Sequence, residues 1–403
     1  MNKLINVIGL GYVGLPTALL LSENYRVIGT DKDEQVVQRL RSGKHSFHEA
    51  ELQVVYEQSL ARGITFANEY QKADIYIVAV PTPFLVKSKK VDPKYLVDAM
   101  NEIKAVCPND AIIVIESTIA PGTIDSYVRP LFVDKQVKLC HAPERVLPGN
   151  IIQELTNNSR TIGADEAAVS EEIKQMYQSF CKEDIICTDI CTAEISKVIE
   201  NTYRDINIAY ANELKKICTN MGLDTYEVIR IANYHPRVNV LNPGPGVGGH
   251  CISVDPWFLV GEDSENTPLI QQARNINDSM PSYVWGKMKQ AIEAGESGHG
   301  KKVVGLYGLT YKPNVDDIRE SPALQLYKQL NPEEKSETYF FDPLVSTKVV
   351  ENQLTDFNQF LDSIDVLLIF VPHDHIKQKY DEVVKKKIKI FDTNKTFEQA
   401  AQV

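Results

Sequence analysis

The sequence predicts an α/β protein with two doubly wound parallel-sheet domains joined by a central helical domain. Three observations carry this. Short apolar runs bounded by Gly, Pro, Asp and Thr clusters recur at both ends of the chain, at residues 4–8, 25–30, 75–80, 112–116 and 137–141, then again at 303–307, 338–341 and 366–371. Such runs, alternating with helical patterns, read as buried parallel strands. Between them the pattern changes to helices over 192–220, 225–233 and 268–294. Finally, 403 residues exceed what one core can organise. The expected domains are 1–186, 187–296 and 297–403, with the linker at 296–300.

Composition excludes several classes. Hydrophobic residues make up 43% and charged residues 24%, as in ordinary globular proteins. A net charge of −11 argues against nucleic acid, which demands a basic footprint. No apolar run reaches membrane-spanning length, and the first strand lacks the features of a signal peptide. The seven cysteines are scattered without metal-ligand spacing, so no metal and a reducing, cytoplasmic location are expected.

The first strand runs into Gly9-Leu10-Gly11-Tyr12-Val13-Gly14, then a helix from Leu15, then a strand ending on Asp31. A lone GxGxxG is weak. Placed between strand and helix, with an acid at the end of the next strand, it is the dinucleotide fingerprint of a Rossmann-like domain. The glycines allow a tight turn and close approach to the pyrophosphate at the helix N-terminus. Asp31 would accept from both ribose hydroxyls, which selects NAD over NADP. The next strands end in PTPF and STIAPGT, so Thr82 and Thr118 fall at the carboxyl ends of a parallel sheet and are candidate cofactor contacts. Glu144 and Arg145 fall in a similar loop; composition alone favours reading Glu144 as a solvated loop acid over a functional one.

In the long central helix Lys197, Asn201 and Arg204 share a face. That face is either a solvated stripe or one that closes over a reacting oxygen. The stretch NPGPGVGGHCISVDPWFLV then places Cys251 after four glycines and Asp255 four residues on. Prolines and glycines forbid regular structure in its first half. A short helix starting near Cys251 would hold the thiol at a helix N-terminus and favour the thiolate. A buried structural cysteine is the other reading. His250, adjacent to the cysteine, orders the loop rather than forming a dyad, since neighbouring side chains diverge. The last hundred residues echo the first: strand, helix, strand ending on Asp342, then VLLIFV followed by PHDH. GxGxxG is missing there, so this half is expected to bind a different nucleotide, with Lys312 a phosphate or sugar contact.

With IGLGYVGLPTA, AVPTPF, IEST, CHAPERVLPG, AEISKVIENTYRDINIAYANEL, GPGVGGHCISVDPWFL and YKPNVDDIRESPA in this order, the chain resembles the UDP-glucose/GDP-mannose dehydrogenase family over essentially its full length. The resemblance implies four-electron oxidation of a nucleotide-sugar primary alcohol to a carboxylate, using two NAD in turn. Cys251 would form the thiohemiacetal and thioester, Lys197 and Asn201 would stabilise the oxyanion, and Asp255 and Glu144 would handle water. By position it also implies Arg145, Val146, Arg204, His235, Arg237, Tyr311 and Lys312 as substrate contacts and Arg319 as a cofactor contact. It implies a homodimer through the central helix, with Arg237 reaching the neighbour's site. The runs YRDINIAYANEL and HPRVNVLNPGPGVGGHC, and PWF after Asp255, look most like members acting on UDP-N-acetyl-mannosamine; UDP-GlcNAc, UDP-glucose or a related UDP-hexose is the alternative. Two places depart from the family pattern: His48-Glu49-Ala50-Glu51 replaces the usual glutamate-proline, and Asp392-Thr-Asn-Lys395 leaves the placement of the family's substrate lysine open by one residue.

Overall fold

The computed structural model describes residues 3–45, 49, 51–85, 87–146, 149–294, 302–397 and 400–402; the expected linker at 296–300, together with His48 and Ala50, lies outside them. The described chain divides into two compact units, one of residues 1–200 and 257–264, the other of 201–256 and 265–403.

The first unit is built on an eight-stranded sheet. Its strands are β1 (Leu4–Ile8), β2 (Arg26–Thr30), β3 (Thr65–Ala67), β4 (Ile75–Val78), β5 (Ala111–Ile115), β6 (Val137–His141), β7 (Arg160–Ala164) and β8 (Ile185–Thr188), in the order β3-β2-β1-β4-β5-β6-β7-β8. All neighbours pair in parallel except β6 and β7. Strands β4 and β5 are buried on both faces, which is why they read as unbroken apolar runs. The order reverses between β1 and β4, and the loops after those strands carry the expected cofactor residues. β8 runs past the domain limit expected at 186.

In the second unit a five-stranded parallel sheet, ordered β10-β9-β11-β12-β13, comprises β9 (Val304–Tyr307), β10 (Thr338–Phe341), β11 (Val366–Ile369), β12 (Lys389–Asp392) and β13 (Ala401–Gln402). This is the other common doubly wound order, so the second half repeats the principle of the first with a different strand sequence.

Helix α1 (Gly14–Leu21) follows β1. The helical middle holds α2 (Ile190–Met221), α3 (Thr225–Ala232), α4 (Asp255–Glu262) and α5 (Pro268–Ala294), and α6 (Pro322–Gln329) follows β9. No helix among the described residues is long and apolar enough to cross a membrane.

One carboxylate at the start of α2 ties that helix to the sheet domain. Glu194, 1% exposed, accepts from the backbone N–H of Gly122 at 2.6 Å and of Ile124 at 3.0 Å. Burial pushes its carboxyl up to about 7, against the pull of those two amides. A folded pKa above the unfolded one means that the folded state holds the extra proton between the two values. The resulting stability is fully present below about pH 4.5 and lost as pH rises through about 7. Relative to Glu194→Gln, urea denaturation at a series of pH values is expected to show the native protein losing up to about 3 kcal/mol across that window. A pH-independent difference between the two proteins would contradict this.

Candidate active site

In the first unit the fingerprint loop is shaped by the chain itself at two glycines and left open at the third. Gly9 has φ +88°, and a Cβ there would meet the Ala79 carbonyl oxygen at 2.5 Å. At Gly14 a Cβ would meet the Gly9 carbonyl oxygen at 1.9 Å. At Gly11 nothing lies within 4 Å. The protein's own packing therefore requires the first and third glycines but not the second, as expected where a ligand's backbone approach sets the demand. Val13 precedes α1 without a side-chain cap, and the first turn carries no acid. Because the Leu15 amide donates to the Gly11 carbonyl at 3.2 Å and Pro16 has no N–H, attraction for an anion at this helix end rests chiefly on the helix dipole. Asp31 sits at the carboxyl end of β2; its Oδ2 accepts from Leu10 N–H at 2.8 Å and its Oδ1 from Asp33 N–H at 2.9 Å. Each carboxylate oxygen keeps further acceptor capacity for a ribose hydroxyl. These residues fit a dinucleotide. Tyr12 stands half-buried in the loop. Thr82 and Thr118 bind one another, the Thr82 hydroxyl donating to the Thr118 carbonyl at 2.5 Å, which ties the β4 and β5 loops together.

Further along the same sheet edge, Glu144 is 9% exposed and its Oε2 accepts from the Val146 amide at 2.6 Å. The Arg145 guanidinium pairs with Glu200 at 2.6 Å and also donates to the Ser159 carbonyl and the Thr161 hydroxyl. Beneath them lies a buried group that reading the sequence missed. Glu116, at the end of β5, accepts from Arg160 at 2.6 Å and from the Tyr177 hydroxyl at 3.0 Å. Burial pushes the Glu116 carboxyl up despite the Arg160 charge. The motif IEST gave its place, but nothing local announces partners 44 and 61 positions away. Lys197, on α2, is buried in this unit.

In the second unit Asn201, one turn along α2 from Lys197, donates its side-chain amide to Asp255 Oδ2 at 2.6 Å. Asp255 is 3% exposed and opens α4. The helix expected to begin near Cys251 begins four residues later; the Cys251 carbonyl instead accepts from the amides of Val254 (3.0 Å) and Asp255 (2.8 Å), closing a turn that leads into α4. Pro256 sets this start, because proline is tolerated only in the first turn of a helix. Cys251 is half-buried. Burial and the nearby Arg319 charge hold the His250 imidazole below its usual range, opposed by Asp317. That neutral ring suits an ordering role.

Of the four glycines before Cys251, Gly246, Gly248 and Gly249 approach the protein closely, while a Cβ on Gly244 would meet nothing within 4 Å. A Cβ on Gly248 would lie 2.5 Å from the Glu320 carbonyl oxygen and one on Gly249 2.9 Å from the Tyr311 ring. Gly246, with φ +137°, lies between Pro281 and Pro322. The Gly249 amide donates to the Arg319 carbonyl at 2.9 Å. The loop bearing Tyr311 and Lys312, both half-buried, thus packs on the cysteine loop. The Arg319 guanidinium pairs with Asp317 at 2.6 Å. Arg204 is exposed on α2, and His235 and Arg237 are exposed on the segment after α3. Lys395 reaches back to Asp224 at 2.5 Å.

Comparison with known proteins matches three successive segments of the chain. The UDP-glucose/GDP-mannose dehydrogenase family matches through its NAD-binding domain over residues 3–181, its central domain over 191–279 and its UDP-binding domain over 305–399. The UDP-N-acetyl-D-mannosamine dehydrogenase of Methanocaldococcus jannaschii is 42% identical over 96% of this chain and 89% of its own. The NDP-N-acetyl-D-galactosaminuronic acid dehydrogenase of Ralstonia nicotianae is 35% identical over 97% of this chain and 95% of its own. Among solved structures, a derivative of the UDP-N-acetyl-mannosamine dehydrogenase from Staphylococcus aureus superposes with a TM-score of 0.87 at 41% identity, covering 100% of this chain and 97% of that one.

The contrast between Gly11 and Gly14 is testable. Gly14→Ala is expected to destabilise the fold by about 1–3 kcal/mol through overpacking. Gly11→Ala is expected to leave the melting temperature unchanged while weakening NAD binding about tenfold, or about 1.4 kcal/mol. Calorimetric melting and NAD titration of both variants check this; a destabilised Gly11→Ala protein would contradict the open-space reading.

Proposed function

Because the chain belongs to the UDP-glucose/GDP-mannose dehydrogenase family, we propose that it oxidises UDP-N-acetyl-D-mannosamine to UDP-N-acetyl-D-mannosaminuronate for surface polysaccharide, in the cytoplasm. The similarity to proteins named for that sugar supports the substrate. The chemistry rests on one observation: the start of α4 assembles a cysteine, a carboxylate and an amide donor, through the turn from Cys251 to Asp255 and the 2.6 Å bond from Asn201 to Asp255.

The overall reaction is R–CH2OH + 2 NAD⁺ + H2O → R–COO⁻ + 2 NADH + 3 H⁺. NAD, held by the Gly9–Gly14 loop and Asp31, supplies the hydride acceptor for both oxidations. Lys197 and Asn201 stabilise the oxygen anion that develops on the substrate carbon, as an ammonium and an amide on one helix face can. Thr82, Thr118 and Arg319 complete the cofactor contacts. At the aldehyde stage the Cys251 thiolate attacks the carbonyl carbon, and the new C–S bond holds that carbon in place for the second oxidation. The thioester is then cleaved by water deprotonated by Asp255 or Glu144, releasing the thiolate and the carboxylate. Arg145, Val146, Arg204, His235, Tyr311 and Lys312 position the nucleotide sugar. A second reading, the same chemistry on another UDP-hexose, is favoured by the similarity to the Ralstonia relative.

The homodimer rests on α2. Tyr203, Tyr210, Ile217 and Met221 are 72%, 52%, 49% and 67% exposed and fall on one helical face, a stripe too apolar for water alone. A second copy would cover it and bring Arg237, on its exposed segment, to the neighbouring site.

Two measurements decide these readings. With limiting UDP-N-acetyl-mannosamine, two NADH per sugar are expected, and Cys251→Ala should abolish that yield. Two NADH from a different UDP-hexose alone would move the substrate, and one per sugar would refute the cysteine mechanism. Sedimentation of Tyr210→Glu should show the dimer shifted to monomer; an unchanged dimer would place the interface elsewhere.

A further inference from the structure

His373, from the PHDH run after β11, is 1% exposed, and both ring nitrogens are used. The backbone amide of Asn314 donates to Nδ1 at 2.9 Å. An amide N–H can only donate, so Nδ1 carries no proton and the ring proton sits on Nε2. Nε2 lies 3.1 Å from Asp342 Oδ2 and 3.1 Å from the Thr310 hydroxyl oxygen, and that hydroxyl donates to the Lys312 carbonyl at 3.1 Å. Asp342 in turn accepts from the amides of Leu309 (2.6 Å) and Thr310 (3.1 Å). One imidazole therefore grips both ends of the turn 310–314, whose far residue, Asn314, has φ +61°, a left-handed conformation that asparagine tolerates better than most residues. The Asn314 side chain adds a reciprocal pair with Asp374, at 2.9 and 3.0 Å. Between those ends stand Tyr311 and Lys312; the Tyr311 Cβ lies against Gly248 and its ring against Gly249, two residues before Cys251.

We propose that His373 is a positioning residue: it sets the turn carrying Tyr311 and Lys312, and through the Tyr311 ring the conformation of the Cys251 loop. The first half of this statement rests on the reading of Tyr311 and Lys312 as nucleotide-sugar contacts; the second half does not. A purely structural histidine would contribute stability alone. A positioning histidine moves two further quantities: the KM for the sugar nucleotide, and the reactivity of the Cys251 thiol in ligand-free enzyme.

The experiment compares full-length wild type with His373→Ala, His373→Asn, His373→Gln and Lys312→Ala. It reads KM for UDP-N-acetyl-mannosamine and for NAD, kcat, and the rate of Cys251 alkylation by iodoacetamide followed by mass spectrometry. Asparagine keeps an acceptor where Nδ1 stood; glutamine reaches Asp342 but offers none to Asn314. His373→Ala is expected to raise the sugar-nucleotide KM about tenfold, the loss of one to two buried hydrogen bonds, with the NAD KM within about twofold. Alkylation should quicken several-fold. His373→Asn should recover most of both effects and His373→Gln should not. Should the alanine variant fail to fold, the asparagine and glutamine pair decides. Unchanged KM and alkylation in folded His373→Ala, or glutamine rescuing where asparagine fails, would overturn the proposal. Lys312→Ala separates the two readings. It should weaken sugar-nucleotide binding and leave alkylation alone; if binding is unchanged, the nucleotide-contact reading fails while alkylation still tests His373.

Discussion

The helical middle depends on one buried ion pair. Arg274 on α5 donates to Asp205 on α2 at 2.6 Å, with both side chains essentially without exposure. Asn277 also donates to Asp205, at 2.8 Å, and accepts from Asn212, whose own carbonyl oxygen takes the Gly244 amide at 2.9 Å. The network runs from α5 to α2 and ends on the loop that leads to Cys251. Burying two charges is expensive, and here it is only partly offset: Asp205 Oδ1 and both terminal nitrogens of Arg274 are bonded, while the buried Asp205 Oδ2 and Arg274 Nε have no partner among the described residues. Removing one partner would leave an uncompensated charge, a loss of about 3–5 kcal/mol in such settings. The arrangement therefore couples the helix bearing Asn201 to the start of the cysteine loop at a fixed register, and Pro281, buried inside α5, supplies the surface against which Gly246 rests.

A second device recurs at strand ends. Asp31, Asp342 and Asp392 each close a strand, and each accepts backbone amides from a neighbouring loop. What separates them is exposure and demand. Asp31 is half-buried, with one amide on each oxygen. Asp342 is 4% exposed and serves three amides and His373. The same residue at the same topological position is thus available for a ribose in one sheet and consumed by the protein in the other. The sequence echo between the halves is real as a folding device and uninformative about ligand.

That distinction marks how far the sequence was legible. Strands buried on both faces, such as β4 and β5, announce themselves as apolar runs. β3, β7 and β8 do not: they are short or lie toward the sheet edges and carry Thr, Arg and Cys among their apolar residues. The glycines of the cysteine loop were visible as a break in regular structure, but not what three of them pack against: Gly246, Gly248 and Gly249 meet Pro281, Pro322, Glu320 and Tyr311, and only tertiary structure brings those positions together. Cys251, Asp255 and Asn201 were legible as residue types at suggestive spacings. Their joining, through a turn and one 2.6 Å bond, was not, because a sequence gives spacing along a helix but not where the next helix begins.

Charge is where composition and site appear to conflict, since a chain of net charge −11 is asked to hold an anionic nucleotide sugar and an anionic cofactor. The resolution lies in how its cations are kept. Arg145 stands paired with Glu200, Arg319 with Asp317 and Lys395 with Asp224, each within one compact unit. Ion pairs with this much solvent access contribute only about 0–1 kcal/mol, so exchanging an internal carboxylate for a phosphate or a sugar carboxylate costs little. What the pairing provides is orientation: a guanidinium already held in a plane loses less freedom when it meets its ligand. The dipole at the α1 N-terminus adds attraction that net charge does not cancel, because at physiological salt the distant carboxylates are screened within about 8 Å. An acidic net charge is therefore no obstacle to holding an anion, because a pre-formed ion pair or a helix end can meet one locally.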